Sequence, residues 1–312
     1  MNTTRPTDPG GSAAVRDAPI IAVTGASGAV GGRVAQRLAR AGVPVRLLAR
    51  DPSRLPDLPG AVAAPPAAYG DGEAMRQALA GAHTLFLVSA HESPSRVADH
   101  TTAVDAAVAA HVERIVYVSF LGAAPDATFT FARDHWHTEA HIRVSGVRHT
   151  FLRDSWYLAG IPAMTGADGV LRGPAGEGRV AAVAHEDIAD AATAVLLADT
   201  ESEATRHDGV TYDLTGPEAF TLAEAAEELG RATGRTITYH PETREEAYAS
   251  RAQYGAEEWE VAGWVTSYEA IAAGEMSTVS DAVTRLTGRP AKSLAAYLSE
   301  NPDSYRHLLK AD

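Results

Sequence analysis

Ile20-Ile21-Ala22-Val23-Thr24-Gly25-Ala26-Ser27-Gly28-Ala29-Val30-Gly31-Gly32 is the stretch whose reading decides the fold. A short apolar run with the look of a buried strand ends in a glycine-punctuated turn. It passes directly into Arg33-Val34-Ala35-Gln36-Arg37-Leu38-Ala39, where Val30, Val34 and Leu38 recur at helical spacing. Strand, glycine turn, helix is the setting in which a glycine motif binds phosphate. Gly25 permits the tight turn, Gly28 removes a side chain where a pyrophosphate must come close, and Gly31 lets the helix pack tightly on the strand. The unpaired N–H groups of the first helical turn face the anion. Ala26, Ser27, Ala29 and Val30 complete the expected contacts. An ordinary strand-to-helix turn shares the outline, but three glycines at this spacing near the start of the chain favour a dinucleotide.

Working outward, the 312 residues suffice for one large domain with a substantial appendage, and a hydrophobic fraction of 45% permits a full core. Lys and Arg number 27 and Asp and Glu 40, a net charge of −13, which argues against nucleic acid or an anionic membrane as partner. A local basic pocket for a phosphorylated cofactor remains compatible with that balance. The chain has no cysteine, which removes disulfides, thiolate catalysis and cysteine-ligated metals. No apolar run approaches the roughly 20 residues of a membrane span. Met1 to Asp17 is polar, lacks a signal peptide's apolar core and reads as a disordered tail. The cytoplasm is the simplest placement.

Strand-like runs at 43–49, 84–89, 114–119 and 149–153, with a weaker one at 60–69, alternate with helical patterns at 72–79, 97–108 and 133–144. Asp51 before Pro52 reads as the cap of a short helix. Such βαβ units imply an α/β fold with a doubly wound parallel sheet. The continuous apolar runs at 84 and 114 suit strands covered on both faces. Beyond Asp154 the rhythm loosens. Two short strands flank Gly176-Glu177-Gly178, Asp187 reads as the N-cap of a helix to Leu197, 210–216 is a strand, and Thr221-Leu222-Ala223-Glu224 is a capping box. The expected division is a dinucleotide-binding domain over 18–154 and a smaller, mostly helical α/β cap over 155–312, interleaved with the first.

The end of the second strand discriminates between nicotinamide cofactors, because an acid there suits a ribose hydroxyl and a cation suits the 2′-phosphate of NADP. Arg50 takes that place, with a solvated surface arginine as the alternative. Ser89-Ala90 and Ser119 end the fourth and fifth strands, where the ligand of an open parallel sheet lies. Each serine could equally cap its strand. Trp156 and Tyr157 suit either stacking on a flat ring or packing between the two halves. His135, His137 and His141 crowd one helix. A site-facing His135 and a bland exposed face are both open, while no HExxH or cysteine supports a metal, and none is expected. No G-x-S-x-G elbow supports a hydrolase.

Taken together, Thr24-Gly25-Ala26-Ser27-Gly28-Ala29-Val30-Gly31 resembles the T-G-A-T-G-x-x-G loop of NmrA-like atypical short-chain dehydrogenases. Tyr69-Gly70-Asp71, Leu87-Val88-Ser89, His135-x-x-Thr138-Glu139 and Leu152-Arg153-Asp154-Ser155-Trp156-Tyr157 are similar to the bacterial NAD(P)H:quinone oxidoreductase type 2 branch. So are Gly173-Pro174-Ala175-Gly176-Glu177-Gly178 and Ala184-His185-Glu186-Asp187-Ile188-Ala189. The resemblance implies a Rossmann domain with a small C-terminal domain, and NADPH as cofactor touching Asp71 and Val88 as well. It also implies a small quinone-like acceptor reduced directly by hydride, with His135 at the reacting end. The Tyr-x-x-x-Lys pair of ordinary short-chain dehydrogenases corresponds here to Phe131 and His135, so their alcohol–ketone route is not expected. A quinone needs less proton-transfer help. Ala68 stands where the family has an acid near the adenine, and Arg153-Asp154-Ser155-Trp156-Tyr157 departs from the family's Arg-Asn-Gly-Trp-Tyr. A non-catalytic NADP-binding sensor is the alternative that the missing pair encourages. A homodimer is the one macromolecular assembly this reading leaves open.

Overall fold

Ile21–Val23 form β1, three fully buried residues in a computed structural model that describes residues 19–198 and 205–309. The expected tail, Met1 to Asp17, lies outside the described residues. After the glycine turn comes α1 (Ala29–Arg40), which buries Val30, Val34 and Leu38 as their spacing requires. Next are β2 (Val45–Leu47), β3 (Ala61–Ala63), α2 (Gly72–Leu79) and β4 (Thr84–Val88). Then come α3 (Arg96–Ala109), β5 (Arg114–Phe120), α4 (Thr130–Ser145) and β6 (Arg148–Asp154). The chain continues through α5 (Gly160–Met164), β7 (Val170–Gly173), β8 (Arg179–Val180), α6 (His185–Ala198) and β9 (Thr211–Leu214). It ends with β10 (Phe220–Thr221), α7 (Leu222–Thr233), β11 (Thr238–Pro241), α8 (Arg244–Arg251), α9 (Glu258–Ala272), α10 (Ala282–Thr287) and α11 (Leu294–Glu300).

Seven strands pair in the order β3-β2-β1-β4-β5-β6-β9, all in parallel. This is the Rossmann-like doubly wound sheet. The winding reverses between β1 and β4, so the ligand crevice of such a sheet opens at their carboxyl ends. Both faces are dry. Ile21, Val23, Phe86, Val116, Val118 and Leu152 pack toward α1 and α6. Ala22, Leu85, Leu87, Ile115, Tyr117 and Phe151 pack on the opposite face with α2, α3 and α4. That alternation explains why the strands read as unbroken apolar runs.

α6 and β9 lie C-terminal to residue 154, yet they pack on and pair with the large sheet. The remaining elements build a second core around Leu171, Val180, Phe220, Leu229, Tyr268 and Leu298. Within it, β7 pairs with β11 in parallel and β8 pairs antiparallel with β10. Thr221 and Glu224 form the expected capping box on α7.

Two sequence expectations need correction. Asp187 does not cap α6, because the helix starts earlier, at His185. Its buried carboxylate instead accepts from Arg289 Nη1 at 2.8 Å and from the Lys292 N–H at 2.7 Å. On α3, the row Val97, Thr101, Val104, Val108 is not the buried stripe. Arg96, His100, Ala103, Val104 and Ala107 are buried, whereas Val108 is exposed. A polar row goes inside when it finds partners there. Across the opposite face, Arg33 and Arg37 of α1 pair with Glu186 and Asp190 of α6, and Arg289 adds a second cation to Asp190. Among the described residues, no helix is long and apolar enough to cross a membrane.

Candidate functional site

The turn after β1 is built almost wholly of backbone. Gly25 has φ +59°, and a Cβ there would lie 3.2 Å from Val88 Cβ. A Cβ on Gly31 would lie 2.4 Å from the Gly25 carbonyl oxygen, inside contact distance. Only glycine fits either position. The Gly28 N–H donates to the Gly25 oxygen at 2.8 Å, and Gly28 is the N-cap of α1 with no side chain capping the helix. The first-turn N–H groups are therefore left for an anion. Ser27, Gly28 and Ala29 are exposed around them, while the Ala26 and Val30 side chains are buried, leaving those two only backbone to offer. This arrangement fits the pyrophosphate of a dinucleotide.

Side chains tie this turn to the end of β4. Thr24 Oγ1 accepts from the Val88 N–H at 2.9 Å and donates to the Phe86 oxygen at 3.2 Å. Tyr69 donates its hydroxyl to the Val88 oxygen at 2.7 Å. Asp71, expected at the cofactor, also serves as the N-cap of α2, its Oδ1 accepting from the Ala74 N–H. Arg50 is exposed beyond the end of β2 and makes no hydrogen bond or ion pair with the described residues. Asp51 beside it caps the following turn, accepting from the Ser53 N–H at 3.0 Å.

From Val88 the chain runs into Ser89, which lines a cavity of about 260 Å³ at the carboxyl ends of β4, β5 and β6. One wall is aromatic. Phe120 and Phe129 meet at 5.0 Å between ring centres, and Phe129 and Phe131 at 5.5 Å. A Cβ on Gly263 of α9 would lie 2.2 Å from Phe131 Cζ, so that glycine gives the ring its seat. Trp156 packs edge-on against Tyr268 at 4.9 Å, and Tyr157 lies 4.4 Å from the His185 ring. Trp156 and Tyr157 thus both line the cavity and join the two halves. Met164 and Ser267 line both this cavity and a larger neighbouring groove of about 840 Å³.

The other wall is polar and unusually well buried. Arg96 is 3% exposed. Its Nε donates to the Ala90 oxygen at 3.0 Å and its Nη2 lies 3.3 Å from His135 Nε2. Arginine only donates, so His135 Nε2 accepts and Nδ1–H donates to the Tyr117 hydroxyl oxygen, 2.9 Å away. Burial, then the charge of Arg96, holds the His135 ring neutral by pushing its pKa well below the usual value. His135 therefore faces the cavity with its ring neutral and both nitrogens taken. His100 accepts from the Ala90 N–H at 2.8 Å, and burial with Arg96 pushes it down to about 3. These bonds fix the loop after β4.

Ser119 does not offer its side chain to the crevice. It is fully buried and donates to Glu139 at 2.6 Å. Glu139, also fully buried, accepts from Arg153 at 2.7 and 2.8 Å and from Arg143 at 2.9 Å. This hub braces β5, β6 and α4 behind the cavity. Two buried polar atoms on the cavity lining, Arg96 Nη1 and Ser155 Oγ, have no hydrogen-bond partner among the described residues. Asp154, 1% exposed, accepts from the Tyr157 hydroxyl at 2.9 Å. Sequence reasoning missed Arg96. Its spacing from His100, Ala103, Val104 and Ala107 was the available signal.

With that geometry in hand, the comparisons with known proteins are specific. The profile described as NAD(P)H-binding matches residues 25–199. The chain belongs to that NAD(P)H-binding family. It is 36% identical to a (4-alkanoyl-5-oxo-2,5-dihydrofuran-3-yl)methyl phosphate reductase of Streptomyces griseus, over 92% of this chain and 99% of the relative. The crystal structure of an Escherichia coli NADPH-dependent quinone oxidoreductase complexed with NADPH superposes with a TM-score of 0.80 at 32% identity, covering 90% of this chain and 99% of that one. A Citrobacter triphenylmethane reductase complexed with NADP(H) matches with a TM-score of 0.74 at 27% identity, covering 93% and 99%. This NAD(P)H-binding family member is an NAD(P)H-dependent oxidoreductase.

Proposed function

We propose that this oxidoreductase passes hydride to a quinone or a similarly flat, electron-poor acceptor held in the aromatic cavity. The observation that carries the reading is the cavity itself. It opens at Ser89, beside the glycine turn, with an apolar aromatic wall and two buried polar atoms that make no hydrogen bond among the described residues, Ser155 Oγ and Arg96 Nη1, the latter 3.7 Å from its ion-pair partner Asp134. Such a space suits a planar carbonyl compound, whose ring takes the aromatic wall and whose oxygen accepts from the guanidinium. The similar quinone, dye and dihydrofuran phosphate reductases support the same class of acceptor.

In this reading the backbone of Gly25, Ala26, Ser27, Gly28, Ala29 and Val30 holds the pyrophosphate. Arg50 reads the 2′-phosphate, and Val88, Ser89 and Ala90 flank the nicotinamide, which supplies the hydride when bound. The free carboxylate oxygen of Asp71 is left to the adenine side. His135 and Tyr117 orient Arg96, and the aromatic wall excludes water from the reacting face. The cytoplasm, where reduced nicotinamide is maintained, is the compartment this reading expects.

Purified protein should shift NADPH fluorescence on binding and oxidise NADPH once benzoquinone is added. Failure to bind either nucleotide would sink the proposal. Tight binding with no turnover across a quinone panel would favour a sensor instead.

A further inference from the structure

Two acids that the reading above does not use line the cavity, Glu92 and Asp154, and of these only Asp154 is buried. Asp154 ends β6, is 1% exposed and lines the space intended for the acceptor. Its Oδ2 is held by the Tyr157 hydroxyl at 2.9 Å, leaving Oδ1 for a proton. Among the described residues no cation pairs with it directly. We propose that Asp154, positioned by Tyr157, is the general acid that protonates the acceptor as it is reduced, which suits the site to conjugated carbonyl compounds whose reduced anion is basic. This deepens the proposed function and rests on it.

The acceptor gains two electrons and one proton as hydride, supplied by NADPH, at its electron-poor carbon. The adjacent C=C π bond breaks and its electron pair moves through to the carbonyl oxygen as an enolate. The Asp154 O–H bond breaks, its proton goes to that oxygen, and the enol relaxes to the saturated ketone. The Tyr157 hydrogen bond and the nearby Arg96 charge stabilise the carboxylate left behind. Water then returns the proton to Asp154, whose carboxylate keeps the Tyr157 hydrogen bond.

The surroundings decide the protonation state. Arg96 of α3 and the hydroxyl of Tyr157 favour the carboxylate. Glu92 before α3 shares the cavity, as does the neutral His135 of α4. His185 of α6 packs on the Tyr157 ring from behind. Burial outweighs the favourable terms and pushes the Asp154 carboxyl up to about 8. The acid is therefore protonated at neutral pH, close to where a general acid works best.

Two measurements test this, and the first needs no turnover. Infrared difference spectra of the protein alone, wild type against Asp154→Asn, should show a protonated carboxyl at pH 7 that titrates near 8. Tyr157→Phe removes a bond that favours the ionised form, so it should move that titration to higher pH. Second, with a cyclic enone as acceptor, Asp154→Asn should slow turnover about 100-fold and abolish the fall in rate above the titration. Benzoquinone, which is strongly driven, should lose no more than about threefold. The variant keeps an acceptor for the Tyr157 hydroxyl, and its nucleotide affinity should be unchanged. An ionised Asp154 at pH 7 overturns the proposal whatever the acceptor. So does an Asp154→Asn enzyme with wild-type pH dependence, or a wild type that reduces benzoquinone but no enone. Absence of NADPH oxidation with every acceptor would instead overturn the proposed function, and the infrared titration would still decide the state of Asp154.

Discussion

The glycine turn and the aromatic cavity sit side by side at the end of β4, but they are made differently. The turn is a dozen or so consecutive residues whose backbone does the work, and most of its close contacts lie within it, Val88 against Gly25 being the distant one. The cavity is assembled from side chains of α3, β5, α4, β6, α5 and α9, which are far apart in the chain. A site made of backbone tolerates changes of side chain but not of shape. A site made of distant side chains depends on the buried bonds that brace it.

Substitutions that separate these two kinds of dependence can break the comparison. The largest effect is expected behind the cavity. Glu139→Ala leaves Arg153 without its buried partner and should cost about 3–5 kcal/mol of stability, read as a large fall in melting temperature. An unchanged melting temperature would show that the brace is dispensable. Next is the turn, where Gly31→Ala forces a Cβ against the Gly25 oxygen. It should cost about 1–3 kcal/mol and weaken NADPH and NADH alike in calorimetric titrations. Equal affinity for wild type and variant would mean that the turn is not the pyrophosphate site. Smaller still is Arg50→Ala, expected to weaken NADPH about tenfold, a loss of about 1.4 kcal/mol, with NADH nearly unaffected. Equal losses for both would remove Arg50 from phosphate recognition. Smallest, Asp71→Ala should lower stability by about 1 kcal/mol through the lost helix cap and weaken NADPH slightly through the lost adenine-side oxygen. Unchanged NADPH affinity would remove Asp71 from the cofactor.

The same contrast explains what the sequence made legible. Strand, turn and helix are local patterns, so β1, α1 and the glycine roles could be read directly, and the alternation of later segments yielded the parallel sheet. Ser119 was placed at the crevice because it ends a strand, but strand parity puts it on the Tyr117 side, toward Glu139. Arg96 sat in a helix marked by its valines, and only its helical spacing from His100, Ala103 and Ala107 hinted that a guanidinium and His100 would be buried instead. Their partners, Ala90, Thr138 and His135, are brought to them only by tertiary folding. Asp154 was legible as a departure from the family's run, but its proton-holding environment depends on burial, which no linear pattern displays.

Gly263 gives the last contrast a historical dimension. It lies on α9 and seats the Phe131 ring, yet it is not part of the cavity lining. A descendant carrying alanine there would have to lay that ring elsewhere, narrowing or reshaping the chamber without substituting any residue that meets the cofactor or the acceptor. Lineages of this protein could therefore drift between small and bulky acceptors through a residue that performs no chemistry, leaving the hydride-handling apparatus ancestral.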